Sequence, residues 1–176
     1  MPPSPPPSSP APPALDVRVV RAGIADAGEI LTLQRAAYLA EAQLYGDPFI
    51  PPLVESLEQV RAVLAGDAIV LSARHGHRLV GAVQGRFRGQ TCLVGRLVVA
   101  PDLQGRGVGT RLMRAIEAAV ADRVDTLALF TGHLSDGNLR LYRHLGYAET
   151  HRERLAAHLT LVHMRKTLRA PTQGPP

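Results

Sequence analysis

The chain has 176 residues, a length that suits one domain and is short for two. Its apolar fraction of 45% and charged fraction of 20% are ordinary for a globular protein and exclude a wholly disordered chain. The formal net charge of +5 favours anionic ligands, but the arginines are spread along the chain and not interleaved with aromatic residues, so we expect no nucleic-acid partner.

The two ends of the chain differ in composition from its middle. Eight of the fifteen prolines fall within residues 1–14, and three fall within residues 171–176. Residues 1–14 are rich in proline and serine and carry no charged side chain. Such a composition cannot build a packed core, so we predict disordered tails at 1–14 and 170–176. The folded domain is then expected to span residues 15–169.

Hydrophobic periodicity and turn residues between these tails predict alternating strands and helices. Asp26 is interpreted as the N-cap of the first helix, and Ser56 with Gln59 as a capping box for the second. The predicted elements, in chain order, are a strand at 17–20, a helix over 30–44, a loop at 46–52, a helix from 56 to 66, strands at 68–73, 78–87 and 91–99, a helix at about 108–121, a strand at 126–130, a helix at 137–145, and strands at 147–153 and 159–167.

The lengths of the connections indicate how these strands pair. Short turns between consecutive strands predict antiparallel hairpins, whereas the strand–helix–strand segment at 91–130 predicts one parallel crossover. The strand at 126–130 is apolar throughout, which predicts a central strand buried on both faces. The expected fold class is α/β (α+β), with a mixed, mostly antiparallel central sheet of about seven strands flanked by four helices.

The most informative segment is the glycine-rich loop V-A-P-D-L-Q-G-R-G-V-G-T at residues 99–110, which joins a strand to a helix. Backbone N–H groups at a helix N-terminus, together with the helix dipole, form an anion site that suits a diphosphate. No Gly-Lys-Ser/Thr follows, and Gly109 falls one residue too early for a dinucleotide fingerprint. A tight turn that merely lets the helix pack closely is the competing interpretation.

Two segments carry a resemblance to a known family. Residues 99–109 resemble the acetyl-CoA-binding motif of the GCN5-related N-acetyltransferase (GNAT) family, Q/R-x-x-G-x-G/A after a strand ending in V-x-P, with Gln104, Gly107 and Gly109 at the fixed positions. Residues 138–147, N-L-R-L-Y-R-H-L-G-Y, resemble the family's Asn…Tyr…Gly-Phe/Tyr block with a shortened Asn-to-Tyr spacing. The order of elements also agrees over residues 17–166, which implies a GNAT-like acyl-CoA N-acyltransferase fold.

The resemblance implies acetyl-CoA as co-substrate. It would be held where the end of the strand at 91–99 splays from the strand at 126–130. Backbone groups of residues 97–99 would bond to the pantetheine arm, amides of residues 104–110 would hold the diphosphate, Asn138 would contact the arm, and Tyr142 would lie near the sulfur. The chemistry needs no metal, and the histidine spacings predict none. The implied cofactor-binding residues are Leu97, Val98, Val99, Gln104, Gly105, Arg106, Gly107, Val108, Gly109, Thr110, Asn138 and Tyr142.

The implied reaction is direct attack of a primary amine on the thioester in a ternary complex. Tyr142 is the candidate general acid for the departing thiolate, because a phenol is protonated at neutral pH; the competing interpretation is a core aromatic. A backbone N–H of Val98 or Val99 is the candidate donor to the carbonyl oxygen.

The general base is not evident from the motifs. Many family members carry a carboxylate on the strand before the glycine loop. Residues 90–101 contain no Asp or Glu, and Arg96 stands at one of the positions where that carboxylate usually occurs. The candidate substitutes are Glu41 on the first helix, His133 after the central strand, and a water chain.

The residues that would contact the acceptor give conflicting indications. Tyr38, Glu41 and Tyr45 form one stripe of the first helix, which walls the acceptor site in similar proteins; a core stripe is the alternative for the tyrosines. Glu41 and the tyrosines favour a cationic amine, whereas the planar fork of Arg96 favours an acidic one. In the other interpretation Arg96 pairs structurally with Glu149 or Glu153 across the sheet.

The remaining expectations concern compartment and partners. The single cysteine, Cys92, excludes an internal disulfide and a cysteine-based zinc cluster and fits a reducing cytosol, so we expect a cytoplasmic protein. No run of eighteen apolar residues occurs, so we expect no membrane partner. The expected acceptor is a small-molecule or peptide amine, and a homodimer is possible. The alternative function is a non-catalytic acetyl-CoA-binding sensor or regulatory module.

Overall fold

A computed structural model of the protein describes residues 15–169. The tails predicted at 1–14 and 170–176 lie outside the described residues. No helix within residues 15–169 is both long enough and apolar enough to cross a membrane. The elements are β1 (Arg18–Arg21), α1 (Ala27–Tyr45), α2 (Pro51–Val54), α3 (Leu57–Ala65), β2 (Ile69–His75), β3 (Arg78–Arg88), β4 (Thr91–Val99), α4 (Val108–Val120), β5 (Thr126–Gly132), α5 (Asp136–His144), β6 (Ala148–Ala156) and β7 (Leu159–Thr167), with short 3₁₀ turns at Ile24–Asp26 and Pro101–Leu103.

The seven strands form a single sheet in the order β1-β2-β3-β4-β5-β7-β6. The β4–β5 pair is parallel, and every other neighbouring pair in this sheet is antiparallel. This confirms the predicted mixed, mostly antiparallel sheet of seven strands. The described part of the chain contains five helices in place of the predicted four, because a single turn, α2, forms at the end of the segment expected to be a loop. Two prolines begin that turn, where their fixed φ angle is compatible with a first helical turn.

The helices cover opposite faces of the β2–β4 part of the sheet. A Cβ on Gly81 of β3 would lie 2.8 Å from Leu112 Cδ1, so α4 packs closely on that face. The next residue, Ala82, shares a small cavity with Ile30 of α1 and Val60 of α3 on the opposite face. Because successive side chains of a strand point to opposite faces, the sheet is sandwiched between α4 and the α1–α3 layer.

The two predicted helix caps have different outcomes. The Ser56 hydroxyl accepts a hydrogen bond from the Gln59 N–H (3.2 Å), and the Gln59 side chain accepts one from the Ser56 N–H (2.8 Å), so the capping box is confirmed. Asp26 occupies the N-cap position of α1, as predicted, but its side chain makes no cap hydrogen bond to that helix. Its carboxylate instead accepts from the Gly23 N–H and from Arg74, which holds β2 against the start of α1.

β5 is central, as predicted, but it is not buried on both faces. Leu127 and Leu129 are buried on one face, whereas Phe130 is 58% exposed on the other. The ring of Phe130 packs at 5.6 Å from the ring of His163 on β7, which leaves much of it in contact with solvent. The continuous apolar run therefore predicted an interior strand correctly, but it wrongly predicted that other elements bury both faces of that strand.

β4 and β5 diverge after a short stretch of pairing. Their ladder runs only from Thr91 opposite Thr126 to Leu93 opposite Ala128, although both strands continue beyond it. The predicted splay is thus confirmed. A bulge lies in the diverging part of β4, where Arg96 and Leu97 together oppose a single residue of β3.

Candidate active site

A cavity of about 410 Å³ lies at the end of β4, beyond the stretch that pairs with β5. Its wall is built from one side of α1, the end of β4, the glycine-rich loop with the start of α4, and the first turns of α5. Most of the residues implicated by the sequence motifs lie on this wall. They are Tyr38, Glu41, Leu97, Val98, Val99, Gln104, Gly105, Gly107, Val108, Gly109, Thr110 and Asn138.

Three backbone N–H groups on the cavity wall, those of residues 108–110, have no hydrogen-bond partner within residues 15–169. The first hydrogen bond within α4 runs from the Arg111 N–H to the Gly107 carbonyl at 3.1 Å, so the amides of residues 108–110 precede the helical hydrogen-bond pattern. The N-cap residue is Gly107, which has no side chain to cap this end of the helix. Gly107 has φ = +83°, a left-handed conformation that leaves the space above the amides free of a Cβ. These residues fit the diphosphate of coenzyme A, which the amides and the dipole of the 13-residue helix would stabilise.

The end of β4 lines the same cavity and is not paired with β5. The Ala100 N–H donates to the Val80 carbonyl of β3 at 2.8 Å. Because the backbone groups of a strand alternate in direction, those of Val99 point to the opposite side, into the gap beside β5. The Gln104 side chain donates to the Val99 carbonyl at 3.3 Å and ties the loop to the strand. Among the residues implicated by the loop motif, Arg106 is exposed and does not line the cavity.

Tyr142 lies just behind the cavity wall on α5. Its ring is 7% exposed and packs edge-to-face against Tyr147, with the ring centroids 6.0 Å apart. Burial raises the pKa of Tyr142 well above its usual value, and the nearby Tyr38 and Glu41 raise it further. The phenol is therefore protonated at neutral pH, and within residues 15–169 its hydroxyl makes no hydrogen bond.

Tyr38 of α1 lies on the cavity wall and is influenced by three charged side chains. Burial raises its pKa well above the usual value, and the charges of Glu41 and Glu55 act in the same direction. The Arg96 guanidinium lowers this pKa and opposes them. Tyr38 thus lies near two carboxylates and one guanidinium. Of these groups Tyr38 and Glu41 line the cavity, whereas Arg96 and Glu55 line the smaller cavity between the sheet and the α1–α3 layer.

The Arg96 side chain is paired with Glu55, the residue immediately after α2, with 3.3 Å between Nε and Oε2. The prediction that Arg96 pairs with Glu149 or Glu153 is wrong, because β5 and β7 separate β4 from β6 in the sheet. Those two carboxylates instead pair with Arg152 and His163, respectively. Arg96 has φ = +51°, so the bulge holds this residue in the left-handed region.

Glu55 was not singled out from the sequence, where it is simply the residue before a capping serine. It is held by the buried Gln34 of α1, whose side-chain amide donates to Glu55 Oε2 (2.7 Å) and to the Pro52 carbonyl (2.9 Å). These contacts form only when α2 returns the chain to α1. No local pattern in the sequence indicates them.

Glu41 and Tyr45, one turn apart on α1, contact the loop between β5 and α5. The Ser135 hydroxyl donates to Glu41 Oε1 at 2.5 Å, and the Tyr45 hydroxyl lies 2.9 Å from the Ser135 hydroxyl. The Tyr45 hydroxyl also accepts from the Leu134 N–H at 2.9 Å. Glu41 lines the cavity, whereas Tyr45 is buried behind it at 6% exposure. Ser135 was not identified from the sequence, because a serine before a helix usually indicates only a cap.

His133 lies outside the cavity. Its Nδ1 is 3.2 Å from both the backbone carbonyl oxygen and the backbone nitrogen of Thr160 on β7, and its ring centroid is 5.9 Å from that of Tyr45. The histidine therefore contacts the start of β7 and does not line the cavity. No group of three or more metal-binding side chains occurs within residues 15–169.

Comparison with known protein families identifies the class of protein to which the chain belongs. Residues 39–168 match the family model described as the acetyltransferase (GNAT) domain, so the chain belongs to the GNAT acetyltransferase family. A comparison with the sequences of curated proteins gives no match.

Solved structures of acetyltransferases share the fold. The ribosomal-protein-S18-alanine N-acetyltransferase from Escherichia coli aligns with a TM-score of 0.76 and 14% identity, over 91% of this chain and 99% of its own. The PaiA N-acetyltransferase from Thermoplasma acidophilum, in complex with coenzyme A, gives 0.69 and 14%, over 84% and 98%. An aminoglycoside 6′-N-acetyltransferase complexed with coenzyme A gives 0.67 and 19%, over 87% and 98%. At these identities the similarity establishes the fold alone.

Proposed function

We propose that the protein is an N-acetyltransferase that moves the acetyl group of acetyl-CoA to a primary amine of a cationic acceptor. The observation that carries this proposal is that one cavity combines two features. The first is the set of backbone amides of residues 108–110 at the start of α4, here called the anion cradle. The second is the side of α1 that carries the Glu41 carboxylate, here called the acidic wall. The cradle suits the donor's diphosphate, and the wall suits a positively charged acceptor. The coenzyme A complexes of two structural neighbours support the donor.

The donor side of the cavity would bind acetyl-CoA through backbone groups. Acetyl-CoA supplies an acetyl thioester whose carbonyl carbon is open to attack by an amine. The amides of residues 108–110 would hold the diphosphate, and the free edge of β4 would bond to the pantetheine arm. The Val99 N–H faces the gap, so it is a better donor to the thioester oxygen than the Val98 N–H, which points toward β3.

The acceptor side favours a cation because of how its charges are paired. Arg96 is neutralised by Glu55, which removes the main reason to expect an acidic acceptor. No Lys, Arg or His of the described chain lies within 4 Å of the Glu41 carboxylate, whose partner is the Ser135 hydroxyl. A carboxylate without a counter-ion on a half-buried wall attracts an ammonium group. Glu41 would bind the acceptor and accept the proton that the attacking nitrogen releases.

The leaving group would be stabilised by Tyr142. Attack forms the C–N bond of the acetamide and breaks the C–S bond, and the thiolate gains one proton for the one that the amine loses. The raised pKa of Tyr142 keeps its hydroxyl protonated, so it donates a hydrogen bond to the sulfur as negative charge develops there. Among the base candidates, Glu41 is preferred to His133, because Glu41 lines the cavity and His133 contacts β7.

The proposal is tested by measuring thiol release from acetyl-CoA with a panel of primary amines. The amines are grouped by the charge that the rest of the molecule carries, apart from the reacting nitrogen: cationic, neutral or acidic. We expect turnover with the cationic group and a loss of about 100-fold in kcat/KM for the Glu41→Gln variant. Glu58→Gln on the exposed side of α3 is the matched control and should retain full activity. Turnover confined to acidic amines would contradict the proposal.

A non-catalytic acetyl-CoA sensor is the second candidate, favoured by the absence of a carboxylate on β4. Binding of acetyl-CoA with a defined stoichiometry, but no thiol release with amines of any charge or with basic peptides, would support the sensor and reject the enzyme.

A further inference from the structure

We propose that Ser135 is a positioning residue for the Glu41 carboxylate, and that the Tyr45 phenol fixes the direction of the Ser135 hydroxyl. The inference rests on the proposed function, in which Glu41 meets the acceptor amine. It concerns a set of hydrogen bonds that joins α1 to the loop before α5 and so connects the acceptor wall to the helix that carries Asn138.

The hydrogen bonds can be ordered because each donor has only one proton to give. The Leu134 N–H is a fixed donor, so the Tyr45 oxygen accepts there and directs its own proton elsewhere. The neighbouring oxygen, 2.9 Å away, belongs to Ser135, which therefore accepts from Tyr45. The Ser135 proton is then left for Glu41 Oε1, the acceptor at the end of the series. The Leu134 N–H, which begins the series, therefore determines the direction of both hydroxyl hydrogen bonds.

The local backbone is shaped around the Tyr45 hydroxyl. A Cβ on Gly132, at the end of β5, would overlap the phenol oxygen and its ring carbon, so only glycine lets the ring reach Leu134 and Ser135. Tyr45 and Ser135 are both at least nine-tenths buried. The hydroxyl groups are thus removed from competing water, which strengthens the hydrogen bonds that they form.

The Ser135 hydroxyl makes a contact that helix capping does not require. Ser135 stands at the N-cap position of α5, where a serine side chain ordinarily accepts from a backbone N–H of the first turn. No such cap bond is present here, and the hydroxyl donates across to α1 instead. Removing it therefore takes a partner from Glu41 without removing a cap from α5.

One oxygen of Glu41 is held by Ser135, while the carboxylate as a whole remains on the cavity wall. Holding one oxygen restricts the rotation of the side chain and presents the other oxygen in a defined direction. Small displacements of a group that takes a proton reduce the rate strongly, because proton transfer depends on the donor–acceptor geometry. The consequence should appear in the chemical step more than in the binding of acetyl-CoA.

The test compares Ser135→Ala with Ser72→Ala. Ser72 is a buried serine of β2 whose hydroxyl has no partner within the described structure, so its removal deletes the same atom at a distance from the cavity. For Ser135→Ala we expect kcat with a cationic amine to fall by about 10-fold and KM for acetyl-CoA to change by less than about 2-fold. Ser72→Ala should change neither constant.

A double-mutant cycle with Glu41→Gln separates positioning from a general structural effect. If Ser135 acts through Glu41, adding Ser135→Ala to Glu41→Gln should cause no further loss of kcat. A second variant, Tyr45→Phe, leaves the Ser135 hydroxyl in place but removes the donor that directs it, and should give a smaller loss of about 3-fold that is likewise absent in the Glu41→Gln background.

Three outcomes would overturn the inference. Equal kcat values for Ser135→Ala and wild type would reject it while leaving the N-acetyltransferase proposal intact. Losses in the double variant that multiply those of the single variants would assign Ser135 a role independent of Glu41. A wild-type protein that binds acetyl-CoA but acetylates no amine would reject the proposed function and this inference together.

Discussion

Arg96 and Glu55 form an ion pair at the α1 side of the splayed strands, although they are far apart in the chain and neither belongs to a sequence motif. Their side chains are 26% and 13% exposed, and Gln34 occupies a further lone pair of the carboxylate. The guanidinium lies near enough to Tyr38, on the wall of the larger cavity, to lower the pKa of that phenol, but Glu55 balances its charge. The electrostatic character of the acceptor side of that cavity is therefore set by Glu41.

The first prediction concerns release of this guanidinium. Glu55→Gln should leave Arg96 without a charged partner, lower the free energy of unfolding by about 1–3 kcal/mol and raise KM for cationic amines by about 10-fold. The steady-state KM for a cationic and an acidic amine, measured in parallel, gives the readout. Glu149→Gln removes the carboxylate of an exposed ion pair on β6 and is the control. A Glu55→Gln variant that loses stability without any change in charge preference would contradict the role assigned to the pair.

The second prediction concerns the anion cradle. Gly107→Ala places a methyl group on a left-handed residue beside the free amides of α4, and we expect the dissociation constant for acetyl-CoA to rise by about 10-fold or more. Gly89→Ala is a matched control, because Gly89 has φ = +55° in the β3–β4 turn and carries the same backbone strain away from the cavity. Titration calorimetry measures both. Equal affinities for the two variants would show that strain, and not the cradle, dominates.

The third prediction concerns the phenol behind the cavity. Tyr142→Phe should lower kcat by about 10-fold with little change in the dissociation constant of acetyl-CoA, because its hydrogen bond forms as charge develops on sulfur. Tyr147→Phe is the control: this tyrosine is also buried on the same side, but its hydroxyl donates to Glu117 at 3.1 Å. A loss in Tyr142→Phe that disappeared with a donor bearing a better leaving group would strengthen the assignment, and an unchanged kcat would remove it.

The fourth prediction concerns stability at alkaline pH. Burial raises the pKa of Tyr38, Tyr142 and Tyr147 in the folded protein, and it raises the pKa of the Cys92 thiol to about 11. The unfolded chain ionises these groups first, at about pH 8.5 for the thiol and about pH 10 for the phenols. Above those values the unfolded state binds fewer protons than the folded state, so stability falls as pH rises.

The slope of that fall should reach about 1.4 kcal/mol per pH unit for each group above its unfolded pKa. Urea unfolding at pH 8, 10 and 11 measures it, and Tyr147→Phe should reduce the slope above pH 10 by the contribution of one proton. A midpoint that is independent of pH across this range would show that the phenols ionise equally in both states.

The features that the sequence predicted are those determined by local pattern. Apart from α2, the order and type of the elements follow from periodicity and turn chemistry within a few residues of each position, as do the Ser56–Gln59 capping box and the glycine loop before α4. Tyr38 and Glu41 reached the cavity wall because their helical spacing puts them on one side of α1.

The features that the sequence did not predict depend on where distant segments meet. The bulge at Arg96 interrupts the alternation of β4, so the facing of its side chain could not be derived from period 2. Its partner Glu55 depends on the extra turn of α2, and the Ser135–Tyr45 contact depends on the path of the chain after β5. Pairings between side chains that are 41 or 90 residues apart leave no mark in local composition.

The most direct test of the account is a competition experiment in one reaction. Wild-type protein receives acetyl-CoA with equal amounts of a cationic, a neutral and an acidic primary amine, and mass spectrometry identifies which of them gains an acetyl group. The account predicts that the N-acetylated cationic amine predominates, and that this preference weakens in Glu41→Gln. Acetylation of the acidic amine ahead of the cationic one, or no acetylated amine from protein that binds acetyl-CoA, would contradict it.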